Sequence, residues 1–187
     1  VDEKSGLLGE QAVADIPPGS DGLVVQPYWT PHPALAPKAR GAVVGWTDVH
    51  TRAHLYRATL EGIAYALKDG IAIQERDLGA KISDLKVSGG GARSDVVMQI
   101  TADVFGLPAA RPSTLETCAL GAAINAAVAA GWYRDTGEAV ANMTKADRVF
   151  KPNEENAAVY EELYRGVHRR LYPALEDIHE TLNKVAG

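Results

Sequence analysis

The stretch LKVSGGGARSD, residues 85–95, decides how this chain is read. A short apolar run enters three consecutive glycines, Gly89, Gly90 and Gly91, and a helix-forming segment follows. A strand–glycine–helix turn leaves backbone N–H groups without intrahelical partners and removes the Cβ atoms that would hold a ligand off. The same turn also makes a tight packing corner, so the residues alone leave both readings open. Two phosphate motifs are excluded. Gly89-Gly90-Gly91-Ala92 lacks the G-x-G-x-x-G spacing, and no Lys-Ser/Thr pair follows as in a P-loop. What remains is bare backbone against which a planar base or a ribose can lie.

On either side the chain alternates strands and helices. Downstream, RSDVVMQITADVFG reads as a helix with Val97, Ile100, Val104 and Phe105 on one side and Gly106 as its stop. LPAARP is a short extended segment closed by Pro112, and TLETCALGAAINAAVAAG is a helix of very small residues ending at Gly131. TGEAVANM is a short helix, and DRVFKP is extended. The last helix opens at Asn153 after Pro152, with Glu154 and Glu155 in its first turn. Pro173 is expected to kink or divide it. A coiled coil over this length is weakened by Gly166 and Pro173.

Upstream, residues 1–22 are a polar, partly flexible lead-in ending in the turn signal PPGSDG. GLVVQPYW and GAVVGWT read as strands on either side of a loop carrying Pro31, Pro33 and Pro37. A long helix follows, capped by Thr51 or Asp48 and stopped by Gly79. Tyr56, Leu60, Ile63, Leu67 and Ile71 form one apolar stripe along it. The order predicts an α/β domain with a mixed or mostly parallel sheet.

The chain has 187 residues, enough for one domain with its own core, and a net charge of −5, which offers no basic field for nucleic acid or anionic lipid. A single cysteine, Cys118, rules out an internal disulfide and fits a reducing, cytoplasmic setting. It reads as a small buried hydrophobe. His50 and His54 stand four apart, a spacing that can hold a metal, but no third ligand is near in sequence, and polar packing is the simpler role. Tyr28 and Trp29 read as core, and His168 and His179 as solvated.

The surrounding motifs carry a resemblance. VSGGGARSDVVMQITADVFGLPAARPSTLETCALGAA resembles the C-terminal domain of the FGGY carbohydrate kinases, the family of glycerol kinase, xylulokinase and ribulokinase. The match includes an R-P-x-x-x-E-x-x-A-L-G-A-A element from Arg111. It extends to Gly41, Val43 and Gly45, then His54-Leu55 and Ala58-Thr59-Leu60-Glu61, the family's second signature, where Trp46 replaces the usual aliphatic residue. The tail from Val149 resembles the family's closing F-x-P helix.

The resemblance implies a ribonuclease H-like lobe of the actin, hexokinase and Hsp70 superfamily, with a mixed sheet flanked by helices. It makes residues 23–187 the nucleotide-binding lobe and places the sugar-binding lobe outside this chain. It further implies ATP and Mg²⁺ as cofactors, with the metal ligands and the catalytic aspartate outside this chain, and a small sugar or polyol as acceptor, leaning to a pentulose.

By the same resemblance Gly89, Gly90, Gly91, Ala92 and Ser94 are the adenosine-contacting residues. Ser94 stands where glycerol kinase has an asparagine and reaches less far. Glu61 and Glu116 are family-pattern residues expected to serve structure. Neither nucleic acid nor membrane is an expected partner, homo-oligomerisation is left open, and the chain alone is expected to have no kinase activity. The alternative is a stand-alone actin-like nucleotide-binding or oligomerisation module. A lobe that belongs to a larger enzyme should expose an apolar face where the rest of that enzyme packs, and a self-sufficient module should not.

Overall fold

The computed structural model describes residues 9–30 and 36–186, so part of the proline-rich loop and the first eight residues lie outside the described residues. The architecture is built on one long helix, α2 (Arg52–Leu78), as its spacing predicts. Thr51 caps it with extended backbone and shares a reciprocal capping box with His54. On one side α2 packs on a two-stranded antiparallel ribbon, β1 (Val24–Gln26) and β2 (Ala42–Val44), with Val25 opposite Val43.

On another side it packs on α3 (Asp95–Phe105), which covers a three-stranded mixed sheet. The strands are β3 (Leu85–Lys86), β4 (Ala109–Pro112) and β5 (Ala146–Phe150), in that order. β3 and β4 run parallel, and β4 and β5 antiparallel. Between β4 and β5 lie α4 (Thr117–Ala129) and α5 (Thr136–Met143), packed on each other. The chain closes with α6 (Glu154–Leu163) on α3, a wide π-type turn at Tyr164–His168, and α7 (Arg169–Ala186).

Among the described residues three apolar clusters form the core, and in the smallest Leu23 and Val25 pack on Ala58 of α2. Ala64, Tyr65, Ile100, Val104, Tyr160 and Tyr164 join α2, α3 and α6. Leu85, Ala92, Met98, Ala102, Ala109 and Phe150 join α3 to the sheet. The described part of the lead-in is packed too: α1 (Glu10–Ala14) buries Val13 against α2.

A buried polar network ties these pieces together. Arg57 donates through Nε to Glu61 at 2.8 Å, through Nη1 to the Val13 carbonyl at 3.1 Å, and through Nη2 to the Tyr160 hydroxyl at 2.9 Å. Glu61 also accepts from the Tyr160 hydroxyl, the Ser20 hydroxyl and the Gly19 amide. Burial pushes the Glu61 carboxyl above its ordinary range, and the Arg57 guanidinium opposes that shift. Ser20 and Asp21 hold left-handed backbone at φ 50° and 54°, a conformation that costs non-glycine residues energy and that the Glu61 and His54 contacts pin in place. Glu61 thus serves structure.

Several sequence expectations need correction. Cys118 is exposed, because α4 buries only Ile124 and Ala127 and Cys118 lies off that side. Trp29 is 62% exposed; its ring lies against Gly41, where a Cβ would stand 2.2 Å from it. His168 and His179 are buried. His168 stacks among Tyr28, Tyr65 and Tyr164, and His179 on Tyr172. Pro173 lies within α7 without dividing it. The irregularity comes earlier, at Tyr164–His168 around Gly166, where the wider turn shifts the helical phase and carries His168 inward.

Candidate functional site

The glycine turn leaves β3 and enters α3 through a single 3₁₀ turn, Gly90–Arg93. Gly89 has φ 89° and ψ −170°, a region that only glycine occupies readily, so the backbone itself requires glycine there. Gly90 and Gly91 carry no such requirement. Neither has positive φ. A methyl group on Gly90 would meet no atom within 4 Å, and one on Gly91 would touch only Val97 Cγ1 at 3.7 Å. Both are exposed. The corner explains one glycine of the three.

The other two predicted contact residues serve the turn itself. Ala92 is fully buried against the sheet, with its amide bonded to the Gly89 carbonyl and its carbonyl accepting from Arg111, so it braces the turn from within. Ser94 is the N-cap of α3: its hydroxyl accepts from the Val97 amide at 3.2 Å and donates to Glu10 Oε1 at 2.5 Å. Glu10 also accepts from the Val96 amide at 3.1 Å, and these bonds, that from Ser94 foremost, hold its carboxyl below the ordinary range. The Ser94 hydroxyl proton is thus committed to Glu10, and one of its lone pairs to the helix cap.

Residues beyond the five brace the turn. Arg111, the arginine of the R-P element, reaches from β4 to the Ala92 carbonyl at 3.4 Å and to Asp95 at 2.7 Å. Arg148 of β5 binds the other Asp95 oxygen, and both guanidinium groups lie over Phe150. The start of α4 meets the turn twice: Thr117 Oγ1 is 3.4 Å from Ser88 Oγ, and Arg93 Nη2 is 3.4 Å from Glu116 Oε1. Glu116 is exposed, and among the described residues its carboxylate meets Arg93 rather than loop backbone. Glu10 was not legible as part of the site, because it sits 84 residues from Ser94. Arg111 had a signal, its place in the R-P element.

The site can offer exposed main chain on a rigid base, with α4 beside it presenting Cys118, Ala119, Ala122 and Ala123 to solvent. A family model for the C-terminal domain of the FGGY family of carbohydrate kinases matches residues 2–130. The chain belongs to that family. Glycerol kinase of Dechloromonas aromatica is 42% identical over 149 residues, covering 78% of this chain and 28% of that protein. Glycerol kinase of Alkaliphilus metalliredigens is 41% identical over 150 residues, with 80% and 28% covered.

Among solved structures, xylulose kinase of Rhodospirillum rubrum superposes with a TM-score of 0.79 at 33% identity, covering 91% of this chain and 34% of that one. The FGGY fold expected from the sequence is therefore observed, in a chain that spans about a third or less of the relatives it matches.

His50 and His54 stack edge to face at 5.3 Å and bond to Thr47, Thr51 and Asp21. Among the described residues no group of three or more His, Cys, Asp or Glu side chains is arranged to hold a metal, and no helix is long and apolar enough to cross a membrane.

Proposed function

We propose that this chain is the adenosine-binding part of the nucleotide lobe of an ATP-dependent carbohydrate kinase. The observation that carries the reading is the open space beside Gly90 and Gly91, which the fold alone would let side chains fill. A ligand lying on that backbone gives both positions a reason to be glycine. The exposed main chain fits the flat face of an adenine or the edge of a ribose. It holds no cationic cradle for a triphosphate beyond Arg93, so the phosphates extend away from it.

Phosphoryl transfer needs a base on the attacking hydroxyl and Mg²⁺ on the β- and γ-phosphates. In this reading both come from the part of the enzyme outside this chain, and the chain's own work is to hold and orient the nucleoside. The acceptor is a small polyol or sugar. The glycine-rich turn leans to a pentulose, and the similar curated proteins are named for glycerol, so xylulose and glycerol are the two acceptors to compare.

Calorimetric titration with ADP, with GDP as comparison, tests the site. ADP is expected to bind the wild-type chain, and Gly90→Val is expected to lose the binding with an unchanged circular-dichroism spectrum. ADP binding that survives Gly90→Val places the nucleotide elsewhere. Absence of binding both to this chain and to the chain joined to the preceding part of a relative overturns the reading.

A further inference from the structure

The short helix α1 is anchored at one end and carries a carboxylate at the other. Near its C-terminus the Val13 carbonyl accepts from Arg57 Nη1 at 3.1 Å, and Val13 itself is buried. That ties α1 to the buried network of Arg57, Glu61 and Tyr160. At its start, Glu10 reaches the first turn of α3. Glu10 Oε1 accepts from the Ser94 hydroxyl at 2.5 Å and from the Val96 amide at 3.1 Å.

The first amides of a helix have no intrahelical acceptor and attract anions. At α3 the chain's own carboxylate takes that seat. A phosphate placed there would face the negative charge of Glu10, so the part of a nucleotide that meets the turn is its nucleoside.

The bonds continue into the glycine turn. The Ser94 amide donates to the Gly91 carbonyl at 3.2 Å, and the Ala92 amide to the Gly89 carbonyl at 3.2 Å. Gly90 and Gly91 have no side chains by which the fold could hold them, so their orientation depends on the residues that follow. Ala92 anchors the turn from below, in the core. Ser94 sets its exit into α3, and Glu10 holds Ser94. A recess of about 140 Å³, lined by Glu10, Tyr56, Leu60, Ser94 and Val97, opens beside these bonds and admits a small anion.

We propose that Glu10 is a positioning residue of the nucleotide site, whose carboxylate holds the exit of the glycine turn in the geometry that receives the nucleoside. The inference rests on the nucleotide reading above and concerns a residue that acts through Ser94 and Val96 without touching the ligand.

The test combines calorimetric titration with ADP and amide hydrogen exchange on the wild-type chain, Glu10→Ala and Glu10→Gln. Both bonds to Glu10 end on Oε1, an oxygen that glutamine retains. Glu10→Ala is expected to bind ADP about tenfold more weakly and to exchange about tenfold faster at Val96, while Glu10→Gln stays within about threefold of wild type. Sodium formate is expected to restore both properties of Glu10→Ala, and sodium chloride at equal ionic strength is not. A residue that only stabilised the fold would shift the urea midpoint and leave the affinity of the folded protein unchanged. If Glu10→Ala does not fold, Glu10→Asp keeps the charge, withdraws it by one methylene and carries the same expectation for affinity and exchange.

ADP binding as tight in the variant as in the wild type, or unchanged exchange at Val96, overturns the proposal and leaves the nucleotide reading standing. So does a loss of affinity that Glu10→Gln shares and formate does not relieve, since α1 would then act by packing alone. If only the chain joined to the preceding part of a relative binds ADP, the same variants are compared there. Absence of ADP binding to both wild-type forms overturns the nucleotide reading and this proposal with it.

Discussion

Two glycine-bearing regions of this chain differ in physical demand. In the first half of α2, Gly62 faces the ribbon at contact distance: a Cβ there would stand 2.3 Å from the Val25 carbonyl oxygen. Around it, Arg57, Glu61 and Tyr160 are buried and mutually bonded. At the turn after β3, Gly90 faces open space. A glycine that the fold cannot replace and a glycine that the fold does not need are different signals, and only the second leaves room for the nucleotide proposed at the turn.

The largest effect is expected from breaking the closed region at its charge. Glu61→Ala leaves the Arg57 guanidinium buried with one partner fewer and frees the left-handed turn at Ser20 and Asp21. Removing one member of a buried pair costs about 3–5 kcal/mol. Urea denaturation should show that loss in the midpoint. A change of less than about 1 kcal/mol would mean that the network is slack and that the closed region is not what fixes α2.

Gly62→Ala comes next. Ala gains roughly 1 kcal/mol of helix propensity over Gly. The added methyl must nevertheless push the backbone of β1 away from α2, and overpacking of this kind costs about 1–3 kcal/mol. A net destabilisation in urea, accompanied by faster amide exchange in β1, is expected. A stabilised Gly62→Ala would remove the contrast with Gly90.

Much of this was legible because local chemistry fixes it. Thr51 and Asn153 cap helices where they read as caps or helix starts, since a short side-chain oxygen ahead of a helical run has little else to do. Gly79 and Gly106 end helices where expected. Spacing identified the stripe on α2, but periodicity reports which residues share a side, not whether anything covers that side. The covered face of α2 instead carries Arg57, Ala58, Glu61, Gly62 and Tyr65, a mixture that no hydrophobicity pattern reveals.

His168 was misread for a related reason. The π turn changes the phase of the last helix, so positions counted at regular spacing lose register after Tyr164. At the glycine turn the motif marked the candidate site, but the roles within it depended on distant partners. Ser94 is a cap held by Glu10, and Ala92 is core.

The smallest effect on stability, with the opposite sign, belongs to Gly90→Ala. Gly90 opens a 3₁₀ turn without positive φ and has no atom within 4 Å of where a methyl would stand. Alanine at a position whose backbone it can adopt stabilises by about 0.4–1 kcal/mol, chiefly by narrowing the unfolded ensemble. Gly90→Ala should therefore leave the urea midpoint unchanged or raise it while weakening ADP binding in the same preparation. Stability held and affinity lost separates a ligand-bearing glycine from a packing one within a single variant. A destabilised Gly90→Ala would instead make the turn a structural corner, and the open space beside it would carry no meaning for a nucleotide.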